Sequence, residues 1–170
     1  MTHLFSPWIS AIILTLAFAF ADGFNGGQFG WNRLSKDHGG PLHGRGIYYV
    51  ALPLAAICYL IGGWPALCLG VIWGFYRAAL GFPTGTLTGR DIEATVLRHA
   101  LLWPFVFAVL AFYALSVWAV FPFLAYTGAA VCLAKWNGDA AKTGHDVNAE
   151  VEPIRGAAYG LAVAIALAVS

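Results

Sequence analysis

Six stretches of this chain, residues 7–21, 47–61, 65–80, 100–119, 122–134 and 156–170, are almost free of charge. That pattern constrains the fold more than any motif, because a soluble domain of 170 residues needs a polar exterior and this sequence has too few side chains to build one. Only 10% of the residues are charged and 60% are hydrophobic, with a mean hydropathy of +0.73. Soluble proteins usually carry about 25% charged residues, so the chain belongs in a membrane. Most of the runs are about 15–20 residues, at or below the ~20 that a ~30 Å hydrocarbon core asks of a straight helix. The sequence predicts an all-α membrane protein with six transmembrane helices in one domain, residues 1–170.

Prolines and glycines divide the runs further. Pro7, Pro65 and Pro122 each open one, and Gly23, Gly81 and Gly138 each follow sixteen residues later. Proline suits a first helical turn, where its missing N–H costs nothing, and glycine suits the left-handed residue that ends a helix. Each polar segment that follows ends in an arginine and a small or apolar entry: "HGRGIYY", "VLRHALL" and "PIRGAAY". Pro65 to Arg98 and Pro122 to Arg155 both span 33 positions, and Pro7 to Arg45 spans 38. The expectation is three tandem two-helix repeats of about 57 residues, with units near 7–62, 65–119 and 122–170.

The loops carry the same signature. "TGRDIEATVLRHA" at 88–100 returns as "TGHDVNAEVEPIRGA" at 143–157, aligning Thr88 with Thr143, Asp91 with Asp146 and Arg98 with Arg155. Unit one keeps only Ser35 to Asp37 and Arg45. A capping box explains the threonines and aspartates, each satisfying an exposed N–H at a helix start, and predicts short helices beginning near Thr88 and Thr143.

Two crossings per unit put every polar loop on one face. All nine Lys and Arg (Arg33, Lys36, Arg45, Arg77, Arg90, Arg98, Lys135, Lys142, Arg155) lie in or beside those loops, while the turns "GGWP" and "SVWAVFP" carry no charge. The positive-inside rule then expects cytoplasmic loops and both termini outside, in an inner membrane if the protein is bacterial. Trp8, Trp64 and Trp118 would mark the outer interface, and Trp31, Tyr76 and Trp136 the inner one. "AFAFA" before Asp22 has the look of a cleavage site, but no Lys or Arg precedes the apolar run, so a membrane helix is expected there instead.

The candidate binding residues lie at the cytoplasmic face. Arg45, Arg98 and Arg155 recur at one sequence level, with Asp37, Asp91 and Asp146 to pair or compete for them and His43 and His99 close by. Such arginines commonly snorkel to lipid phosphates and fix helix depth. Three together would form a ring suited to an anionic lipid headgroup, a small anion or the acidic tail of another protein, because guanidinium binds phosphate and carboxylate bidentately. If acids of the same loops already hold them, the ring is a clasp and binds nothing. The histidines lack metal-ligand spacing, and Cys58, Cys68 and Cys132 read as small buried hydrophobes, so no metal or cofactor is expected. A net charge of +1 offers no basic excess for nucleic acid.

With the "TG[RH]D" loops and the "IRGAAYG" entry in view, the layout resembles the small multi-pass membrane proteins of tailed bacteriophages and prophages. That resemblance carries no catalytic residues. Three two-span units also resemble mitochondrial carriers in outline, but the carriers' proline–acid–base motif is absent and each unit is far shorter. The reading is a non-enzymatic membrane protein whose charged face binds anionic lipid or a protein partner. A small transporter or holin-like pore is the alternative, disfavoured by an almost wholly apolar mid-membrane. A lipid-modifying enzyme is the third class. Small residues allow close helix packing and leave oligomerisation open.

Overall fold

A computed structural model of the chain describes the backbone of residues 5–37, 45–84, 89–143 and 147–170. Side chains are described for 5–23, 50–76, 97–140, 142–143, 147 and 150–170. Helix accounts for 93% of the described residues and no strand occurs among them, so the fold is all-α. The elements are α1 (Pro7–Asp37), α2 (Arg45–Thr84), α3 (Gly89–Ala114), a 3-10 turn (Val117–Ala119), α4 (Val120–Lys142) and α5 (Asn148–Ala168).

The expected prolines do open helices. Pro7 is the first residue of α1, and Ser6 caps it by accepting a hydrogen bond from the Ile9 N–H at 3.4 Å. Pro122 sits in the first turn of α4, after Ser116 has turned the chain in an extended conformation. The expected glycine stops fail. α1 runs on to Asp37, α2 to Thr84 and α4 to Lys142, so Gly23, Gly81 and Gly138 all lie inside helices. Glycine in a helix interior costs about 1 kcal/mol, too little to end a helix that its neighbours support.

Among the described residues, four segments are long and apolar enough to cross a membrane, Val50–Tyr76, Leu97–Ala114, Val117–Ala140 and Glu150–Ala168, rather than the six expected. The first apolar run gives only a shorter apolar helix, Pro7–Gly23, and the runs at 47–61 and 65–80 fall within α2. α2, however, is not straight. Gly63 has φ 63° and ψ −151°, a region open essentially to glycine alone. A Cβ placed on Gly70 would lie 2.9 Å from Cys58 Sγ, whereas twelve residues of straight helix would separate the two by about 18 Å. The chain therefore doubles back at Gly63, and its arms 45–62 and 64–84 lie side by side.

The three-unit repeat is not shown. The most extensive pairing joins the first and last helices, α1 and α5, followed by the antiparallel α3–α4 hairpin. Two glycines of α5 seat α1. A Cβ on Gly156 would strike the Phe18 carbonyl oxygen, and one on Gly160 would come within 2.5 Å of the Leu14 oxygen. Such close approach by small residues is how membrane helices gain packing energy without a hydrophobic effect between them. The contacts 160 to 14 and 156 to 18 also fix the pair as antiparallel.

Tyr159 of α5 forms the centre. It is fully buried, surrounded by Phe18, Trp73, Phe107, Phe123 and Tyr126, with ring centroids between 4.7 and 6.3 Å away. Its hydroxyl donates to the Leu69 carbonyl at 2.8 Å, satisfying the one polar atom of that ring inside an apolar core. The outside is apolar too: Ile12, Leu16 and Phe20 of α1, Leu101 and Phe105 of α3, and Leu161 and Ile165 of α5 are exposed. A shell of that kind meets hydrocarbon rather than water. The four apolar segments and this shell together describe a membrane protein.

Candidate functional site

The polar side chains within the bundle collect between α1 and α5, one turn from the aromatic centre. Arg155 and Glu152 are both 3% exposed, and the guanidinium Nη1 donates to Glu152 Oε1 at 3.0 Å. Asp22 is completely buried, with its Cβ against Gly156, the residue after Arg155. The glycine at 156 makes this possible, since any larger residue would push Asp22 and α1 away. Pro153 lies in the same turn with its ring against Gly23. Proline 153 withholds one backbone N–H from α5, while an i,i+3 ion pair straddles it.

Glu152 lies sixteen residues and Arg155 thirteen from the end of α5 at Ala168, which puts them about 24 and 20 Å from that end. Both fall inside the membrane-spanning candidate Glu150–Ala168. From the other end of that span, Glu150, they are two and five residues in, about 3 and 8 Å, so they lie near its boundary, where the bundle buries them and they pair with one another.

A second polar region lies on the outside of the α3–α4 hairpin. Arg98, Lys135 and Lys142 are exposed there. Lys142 pairs with Asp139 at 3.1 Å, both about half exposed (49% and 54%). Trp136, next to Lys135, is also exposed. His99 is partly buried beside Arg98.

These positions redistribute the residues read from the sequence. Arg98 and Arg155 do not share an environment: one is exposed and the other is buried. The inward positions of α3, Ala100, Pro104, Phe107, Ala108 and Ala111, match Arg155, Tyr159, Ala162, Val163 and Ala166 of α5. That correspondence is a shift of 55, not the 57 that aligns the two arginines, so alanine occupies in α3 the inward place that Arg155 takes in α5. Arg45 opens α2, Asp37 closes α1 and Asp91 lies in the first turn of α3, with their side chains outside the described residues. His43 and Asp146 lie outside the described residues altogether, and an arginine ring is not shown.

Three other expectations change. Thr143 does not cap α5: its hydroxyl donates to the Ala140 carbonyl at 2.8 Å and closes α4, while α5 begins at Asn148. α3 does begin at Gly89, directly after Thr88. Tyr76 is not interfacial but 2% exposed, packed on Trp103 and Phe107. Cys58 is buried as expected, whereas Cys68 and Cys132 are exposed, and all three are free thiols.

Sequence reasoning named Arg155 as a binding residue but passed over Glu152 and Asp22 as its buried companions. "EPIR" contained the signal, an acid three residues before a base on one helix face, where side chains meet. Asp22 could be read as an acid at the end of an apolar run, but nothing local told that α5 would cover it. No protein-family model, curated protein or solved structure matches this chain.

Proposed function

We propose that the protein is a non-enzymatic, six-crossing membrane protein whose charged end binds an anionic partner, either lipid headgroups or an acidic protein segment. The observation that carries this reading is the separation of charge from a closed apolar centre. Every described Lys and Arg side chain, Arg98, Lys135, Lys142 and Arg155, lies on one side of the Tyr159 cluster. The cluster itself is packed aromatic against aromatic from four neighbouring helices. A solute path through one copy would have to open it.

The reversal at Gly63 supports six crossings, because it divides α2 into two arms. Gly62 beside Leu167 puts the end of α5 near that turn. Trp8, Trp64 and Trp118 are 82%, 65% and 64% exposed and follow the Ser6 cap, the Gly63 turn and the Ser116 turn, as an interfacial aromatic belt would. By the positive-inside rule the opposite, cationic end is cytoplasmic.

The buried ionisable trio favours one second reading, a small ion-coupled transporter, since charges within spans often mark ion routes. Proteoliposomes decide between the two. The expected result is no proton or cation flux above that of empty vesicles, with Trp64→Cys labelled by a membrane-impermeant reagent from outside the cell only. Flux that Glu152→Gln abolishes would select the transporter, and labelling from the cytoplasm would invert the topology.

A further inference from the structure

Of the four described cations, two are already committed. Arg155 is held by Glu152 inside the bundle, and Lys142 by Asp139 on its surface. Arg98 and Lys135 are exposed and have no ion-pair or hydrogen-bond partner among the described residues. Both belong to the α3–α4 hairpin.

They also lie at one depth. Phe107 of α3 packs on Tyr126 of α4, with ring centroids 6.5 Å apart, and sets the register of the antiparallel pair. Arg98 is nine residues from Phe107, and Lys135 is nine residues from Tyr126, both toward the charged end. At helical rise each is about 13 Å from that shared level.

Their surroundings select the ligand. One and two turns from Arg98, toward the bundle centre, Leu101, Leu102 and Phe105 are exposed, and in a membrane protein such side chains face acyl chains. Trp136 adds an amphipathic ring beside Lys135, the residue type that settles at headgroup level. A free anion or soluble acidic peptide would use the two cations and leave the apolar stripe idle. A phospholipid would use both.

We propose that the α3–α4 hairpin carries a site for an anionic phospholipid, with its phosphate shared by Arg98 and Lys135, its glycerol region beside Trp136 and an acyl chain along Leu101, Leu102 and Phe105. The site rests on the reading that the charged end binds an anionic partner, and it names that partner. Arg98 supplies the bidentate hydrogen bonds and Lys135 the second charge.

The test is native mass spectrometry of the full chain in detergent, titrated with phosphatidylglycerol and with phosphatidylcholine of the same acyl chains. The expected result is preferential retention of phosphatidylglycerol, reduced about twenty-five-fold in the Arg98→Gln/Lys135→Gln variant at about fivefold per surface cation. Both positions are exposed, so the bundle should fold regardless. Equal retention by the double variant would overturn this site while sparing the broader reading. Lack of any preference in the unaltered protein would overturn the site and remove lipid from that reading. Displacement of the lipid by soluble glycerol phosphate at equal concentration would overturn the site as a lipid site and reduce it to a simple anion contact.

Discussion

Two ion pairs in this protein have nearly the same geometry. Glu152 and Arg155 are three residues apart on α5 with N···O 3.0 Å, and Asp139 and Lys142 are three apart on α4 with N···O 3.1 Å. Their surroundings differ completely. The first pair is 4% exposed on both sides, buried within the bundle, while the second stands about half in solvent. In solvent the attraction is screened and set against side-chain entropy, leaving about 0–1 kcal/mol. Inside the bundle each charge has lost its water, so removing one deprives the other of this pairing where water cannot replace it. Distance alone says nothing about which pair matters.

The largest expected effect is therefore at the buried pair. Arg155→Met leaves Glu152 without its cation and should cost about 3–5 kcal/mol, read as loss of the folded state in a denaturant titration of the detergent-solubilised protein. Coupling it with Glu152→Leu removes both charges and should recover most of that loss. If the double variant is no better than the single, the pair contributes something beyond mutual neutralisation, and the comparison fails. Next comes Gly156→Val, which drives a side chain into the Phe18 carbonyl and the Asp22 Cβ. Overpacking of this kind costs about 1–3 kcal/mol, and a crosslink between introduced cysteines on α1 and α5 would report the separation. The smallest effect belongs to Asp139→Asn, which should change stability by less than about 1 kcal/mol in the same titration. A loss comparable to that of Arg155→Met would mean that the α4 pair is covered by something in the membrane.

What could be read from the sequence divides along the same line. The apolar runs, the prolines that open helices, the "GGWP" reversal and the three exposed tryptophans are local signals, and each corresponds to a feature of the fold. Helix ends at Gly23, Gly81 and Gly138 were expected on propensity, and tertiary support carried all three helices past them. Arg98 and Arg155 follow similar phrases, but which of them enters the bundle depends on whether a glycine-seated neighbour lies across from it. That neighbour is α1, more than 130 positions away in the chain, so no local window contains the information. The same holds for Asp22, whose burial is supplied by α5.

The pairing of α1 with α5 also fixes an order of events during synthesis. α1 is made well before α5, which supplies the glycines that receive it and the Gly156 surface against Asp22. At 5–20 residues per second the delay is on the order of ten seconds. Throughout that interval Asp22 lacks the covering it has in the finished bundle. Until α5 arrives, the nascent chain must hold α1 at the membrane boundary or lend it to an insertion chaperone.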